Sequence, residues 1–89
     1  MEFFKGDLVV CTAGREKEKL MCVVEFDGKY VYVCDGKERK LGNPKRKNPR
    51  HITKTDKRFT DNMFSTDRAL RKALSKEVSQ LFVNTLDMA

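Results

Sequence analysis

The 89-residue sequence predicts a small, mainly β fold: a barrel of short strands followed by one C-terminal α-helix. Three observations carry that expectation. Short apolar runs recur through the first half of the chain at strand length. Two Asp-Gly pairs, Asp27-Gly28 and Asp35-Gly36, sit between such runs and signal tight hairpin turns, because Gly accepts a positive φ without steric cost. Neither Gly nor Pro occurs from Ser65 to Ala89, where apolar residues instead recur at helical spacing.

The elements follow in order. Leu8-Val9-Val10-Cys11 is a strand-sized run opened by Gly6-Asp7 and closed by Ala13-Gly14. Arg15-Glu16-Lys17-Glu18-Lys19 alternates in charge and reads as a loop. Leu20 to Phe26 is the second strand, and Tyr30 to Cys34, rich in aromatic and β-branched residues, is the third. A fourth, short strand is expected near Glu38 to Leu41. So small a sheet must curl to bury a core and limit its open edges. In the second strand Glu25 shares a face with Val23 and Met21, so Cys22, Val24 and Phe26 are the expected inner face. In the third strand Val31 and Val33 are the expected inner pair against Tyr30 and Tyr32, with at least one tyrosine at the surface.

Gly42-Asn43-Pro44 and Asn48-Pro49 interrupt regular structure, so Lys45 to Arg50 is expected to be extended and exposed. Thr53 to Phe64 has no clear period and reads as a linker. The helix then starts at a Ser65 or Thr66 cap, with Asp67 in its first turn. Leu70, Leu74, Val78 and Leu81 form its apolar stripe, widened by Ala69, Ala73 and Phe82. The expected organisation is a barrel with a basic extension over 1–53, a linker over 54–64 and an amphipathic helix over 65–86. Three roles are open for the stripe: packing on the barrel, self-association, or docking to a protein partner.

Composition narrows the function. The net charge is +6, but the segment from Lys37 to Arg58 holds ten basic residues against Glu38 and Asp56, a local +8, so the rest of the chain sums to −2. Clustering of this kind favours a polyanionic partner. No apolar run reaches the roughly 20 residues that span a bilayer, and the charges lack nearby apolar anchors, so no membrane partner is expected. Met1 to Lys5 shows no signal-peptide pattern, and a cytoplasmic location is expected. Cys11, Cys22 and Cys34 form no Cys-x-x-Cys pair and are surrounded by apolar residues; they read as small strand residues in a reducing compartment, with no metal site. His51 is the sole histidine and has no nucleophile or carboxylate placed near it in sequence. The glycines form no phosphate cradle. No enzyme, cofactor or small-molecule substrate is expected.

Gly6-Asp7-Leu8-Val9-Val10-Cys11-Thr12-Ala13-Gly14-Arg15 is similar to a KOW opening: a Gly, a hydrophobic strand, then a Gly that starts a charged loop. The likeness continues through Leu20 to Glu25, Asp35 to Leu41, Pro44-Lys45-Arg46-Lys47-Asn48 and Arg50-His51-Ile52. A barrel followed by this tail resembles the archaeal and eukaryotic large-subunit ribosomal proteins of the L-fourteen-e group and short bacterial KOW proteins. One departure stands out: Glu18 follows Lys17 where the family usually has a second Gly. The resemblance covers about residues 5 to 53. It implies an SH3-like barrel of five strands that docks structured RNA, above all ribosomal RNA, in a ribosomal or translation-associated role.

The expected RNA contacts are Arg15, Lys17 and Lys19 in the first loop, then Arg39, Lys40, Lys45, Arg46, Lys47, Arg50, His51, Lys57 and Arg58. Arginines fork onto phosphate or stack on unpaired bases, which lysines do not. The competing function is a protein-interaction module of the transcription or translation machinery, with only non-specific affinity for nucleic acid.

Overall fold

The computed structural model describes residues 2–88, with side chains through Gln80; Leu81 and Phe82 of the helix stripe lie outside the described side chains. Five antiparallel strands form one sheet: β1 (Asp7–Cys11), β2 (Leu20–Phe26), β3 (Val31–Cys34), β4 (Lys45–Lys47) and β5 (Ile52–Arg58). Their order is β4-β3-β2-β1-β5. Single 3-10 turns span Pro49–His51 and Asp61–Phe64, and one helix, α1 (Asp67–Met88), ends the chain.

The β2–β3 hairpin forms at the Asp27-Gly28 signal. Gly28 has φ +92°, and the Asp27 carboxylate accepts the Lys29 and Tyr30 N–H groups at 2.9 and 2.7 Å. At Asp35-Gly36 the turn also forms, but no strand follows at Glu38 to Leu41. Asp35 instead accepts the Lys37 and Arg39 N–H groups, both at 2.9 Å, and closes a local loop. The fourth strand lies further on, at Lys45–Lys47, which corrects the expected exposed arm. Those three residues pair with Val33, Tyr32 and Val31.

The stretch read as a linker is also corrected. Residues 52–58 form β5, paired to β1 from Cys11↔Ile52 to Asp7↔Arg58 with a register shift between Val9 and Asp7. Ile52 is its only large apolar residue. As an edge strand it needs little more, and its charges discourage pairing with other chains.

Both faces of the sheet are covered. Val9, Cys11, Met21, Val23, Val31, Val33 and Ile52 form one core with Phe3, and Phe26 packs against it. Leu8, Cys22 and Cys34 form the other with Phe59, Leu70 and Leu74. The valines of β3 point inward as expected. The face expected of β2 is overturned, since a bulge between Val23 and Glu25 resets the alternation. Phe26 therefore joins Met21 and Val23, while Cys22 and Val24 face the helix.

Thr66 caps α1, its hydroxyl accepting the Ala69 N–H at 3.1 Å. Asp67 accepts the Leu41 N–H at 2.7 Å, which ties the β3–β4 connection to the start of the helix. Gly36 (φ +76°) lies so close that a Cβ would collide with the Asp67 carbonyl. Leu70 and Leu74 are buried on the sheet, whereas Val78 is 52% exposed. The first turns of the stripe thus pack on the sheet.

The sheet also bends sharply. Five flat strands would hold their edges about 19 Å apart. Residues 48–51, which join edge strands β4 and β5, include a 3-10 turn, so this link reaches only about 13 Å. Lys47 of β4 accordingly touches the loop that leaves β1.

Candidate nucleic-acid interface

The β1–β2 loop, residues 12–19, is held by contacts from residues distant in sequence. The Thr12 N–H donates to the His51 carbonyl at 2.9 Å, and the Lys47 ammonium donates to the Ala13 carbonyl at 3.0 Å. Gly14 has φ +83°, and a Cβ there would meet Lys47 Nζ at 2.9 Å. Glu18 closes the loop, donating its N–H to the Cys11 carbonyl at 2.7 Å. Its φ is +71°, and it is the one non-glycine with positive φ among the described residues.

Glu16 turns inward beneath this loop and is 3% exposed. Lys47 Nζ lies 3.6 Å and Arg39 Nε 3.7 Å from Glu16 Oε1, which has no hydrogen bond among the described residues. These are ion pairs at the outer limit of contact. They give Lys47 a structural part, while Arg39 stays half-buried beside the same carboxylate. Lys47 is buried at 7% exposure, so it holds the loop rather than offering a charge to solvent. The sequence offered no signal for this beyond a Glu between two basic residues.

With the loop clasped in this way, Arg15 and Lys17 stand exposed on it. Arg50 and His51 are exposed on the 3-10 turn that the loop contacts through Thr12. Thr12 and Ala13 of the loop thus meet His51 and Lys47, more than 30 positions later in sequence, which brings the loop and the turn together. Lys19 borders it, paired with Glu38 at 3.4 Å across open solvent. Lys40 is exposed, and Lys45 is half-buried. Arg46 is exposed and lies over the Tyr30 ring, 4.6 Å from its centroid.

Two of the expected contacts stand apart. Lys57 pairs with Glu77 of α1 at 3.5 Å. Arg58 lies opposite Asp7, at the end of β1 away from the loop, roughly 13 Å along the strand. Around Asp7 a second charge cluster forms. Arg58 Nε is 2.7 Å and Lys54 Nζ 3.4 Å from its carboxylate, and the Phe4 N–H donates to it at 2.8 Å. Burial acts to raise the Asp7 carboxyl, but the Phe4 N–H, Arg58 and Lys54 outweigh it and hold the group below the usual carboxylate range. Phe4 and Asp7 were not among the expected site residues.

The thiols are unsuited to reactivity. All three are free and buried, and desolvation pushes Cys22 and Cys34 up to about 12. Among the described residues, no group of three or more His, Cys, Asp or Glu side chains is placed to hold a metal, and no helix is long and apolar enough to cross a membrane. Compared with known proteins, the chain matches no family model and no curated protein.

Proposed function

We propose that this chain is a non-catalytic RNA-binding protein of KOW type, its sheet rolled into an SH3-like barrel, which binds structured ribosomal RNA in the cytoplasm as part of, or a companion to, the translation machinery. The observation that carries the reading is the clasped first loop, which bears the exposed Arg15 and Lys17 and touches the turn that bears the exposed Arg50 and His51. Basic side chains carried on a held backbone, rather than on a mobile tail, suit phosphates held at fixed positions in folded RNA. The barrel is supported by the short β4–β5 link and by the reach of Lys47 to Ala13. The KOW likeness is supported at its weakest point: Glu18, where a Gly was anticipated, keeps a conformation that favours Gly. Catalysis has no support, since His51 stands at the surface and burial raises the thiols.

The test is RNA affinity across a salt series, together with co-sedimentation with large ribosomal subunits. If roughly four to eight phosphates are met, log affinity against log salt should fall with a slope of about −3 to −6. A flat response would remove the electrostatic mechanism, and absence from the subunits in moderate salt would remove the ribosomal assignment.

One observation favours the second reading, a protein-interaction module. A depression beside α1 is lined by Leu20, Leu74 and Val78, with Lys37, Arg71 and Lys72 outnumbering the single acidic residue Asp35. Such a surface fits an acidic, amphipathic segment of a protein partner. That reading predicts tight protein binding with weak, salt-labile affinity for RNA of any sequence.

A further inference from the structure

We propose that Phe4 and Arg58 form a stacking site for an unpaired nucleobase, at the end of β1 opposite the loop surface. The inference rests on the RNA-binding reading and adds to it a place and a chemistry. Phe4 is the only exposed Phe or Tyr among the described residues, at 48% exposure. The Arg58 guanidinium lies over its ring, 4.6 Å from the centroid, and the Arg58 side chain is itself 54% exposed. A guanidinium plane on an aromatic face leaves an outer flat surface on which a base stacks.

The pair is held in place before any ligand arrives. The buried Asp7 carboxylate accepts the Phe4 N–H at 2.8 Å on one oxygen and Arg58 Nε at 2.7 Å on the other. Lys54 Nζ sits 3.4 Å from the same carboxylate and 5.7 Å from the Phe4 centroid. One buried anion thus fixes the backbone of the aromatic residue and the head of the cation. Neighbouring Phe3 is anchored in the core against Phe26, centroid to centroid 5.4 Å, so Phe4 is directed outward.

Charge distinguishes this site from the loop surface. Asp7 offsets one of the two cations beside it, so attraction here arises mainly from stacking and depends little on salt. Arg46 over Tyr30 is also a guanidinium–aromatic pair at 4.6 Å, but the carboxylate that accepts the Tyr30 N–H, Asp27, is exposed rather than buried.

The chain contains no tryptophan, so Phe4→Trp introduces a single reporter at the site. Two probes are used: a short unstructured oligoadenylate RNA, which stacks, and inorganic polyphosphate, which does not. The expected result is saturable quenching of Phe4→Trp emission by the oligonucleotide and none by polyphosphate. Phe4→Ala and Phe4→Leu, the latter preserving apolar packing, should each weaken oligonucleotide binding by about fivefold to a hundredfold. Their polyphosphate affinity and melting temperature should stay near wild type. Oligonucleotide binding at wild-type strength by both variants, or binding to Phe4→Trp without quenching, overturns the stacking site and leaves the RNA-binding reading standing. Failure of the wild type to bind either probe overturns both.

Discussion

Glu16 and Lys47 face each other at 3.6 Å beneath the first loop, and both are almost wholly buried. The pair joins a loop that follows β1 to a strand three places away in the sheet order. Removing one partner of such a pair leaves the other as an uncompensated buried charge, which typically costs about 3–5 kcal/mol. Lys47→Met and Glu16→Ala should each lower stability by several kcal/mol, with the smaller loss for Lys47→Met because Arg39 remains 3.7 Å from the carboxylate. The double replacement Glu16→Gln with Lys47→Met should recover much of that loss. Denaturant titration of the full cycle is the check, and additive single effects would show that the pair is not coupled.

At Glu18 the backbone has φ +71°, a region that costs a non-glycine residue about 1–2 kcal/mol. Glycine gives back about 0.5–1 kcal/mol through its freer unfolded chain. Glu18→Gly should therefore be neutral or raise stability by up to about 1 kcal/mol, and remove a negative charge from the loop surface. RNA binding should tighten in low salt. Glu18→Ala, which retains the strain but loses the charge, separates the two effects in melting and binding experiments.

What was legible in the sequence follows from how local each signal is. The Asp27-Gly28 hairpin, the inward Val31 and Val33, and a helix capped at Thr66 each depend on residues a few positions apart. β4 and β5 were illegible because their register comes from partners elsewhere. Lys45-Arg46-Lys47 has no strand pattern of its own, and its pairing is set by β3. Glu25 misled the reading of β2 because the bulge beside it cannot be seen in period-two alternation. The same holds for the site. Basic residues could be counted, but the inward turn of Glu16, beneath which Lys47 is buried, is a tertiary fact.

The burial of Lys47 separates a structural cation from the exposed ones, and mutation can tell them apart. Arg15→Ala, Lys17→Ala and Arg50→Ala together should leave the melting temperature near wild type and weaken RNA binding at least tenfold at low salt. Each lost phosphate contact should flatten the log–log salt dependence by about one unit or slightly less. Lys47→Ala should do the opposite, lowering the melting temperature first and affinity only through the loss of fold. Affinity that survives the triple replacement would move the phosphate contacts to Lys40, Lys45 and Arg46.

The helix and the two thiols beneath it give a prediction in pH. Cys22 and Cys34 are directly opposed on β2 and β3, both fully buried in the core that Leu70 and Leu74 complete. Desolvation is the main reason their thiols are pushed up to about 12, whereas an unfolded cysteine ionises near 8.5. The folded state then holds protons that the unfolded state has released. Stability should consequently fall as pH rises above about 8.5, with a limiting slope of about 1.4 kcal/mol per pH unit for each thiol. Below that pH both states are protonated and the contribution is flat. Lysine titration overlaps the upper part of this range, so the measurement is a difference. Denaturant stability of the wild type is compared with that of Cys22→Ala/Cys34→Ala from pH 7 to about 10.5. The variant should lose a constant amount at neutral pH from its smaller side chains, and the gap should narrow steadily above about pH 8.5. A gap that stays constant to the top of the range would mean the thiols ionise in the folded core as readily as in the open chain. Leu70→Ala, which thins the cover of Cys22 and Cys34, should cost about 2–5 kcal/mol and speed their modification by a thiol reagent at pH 8.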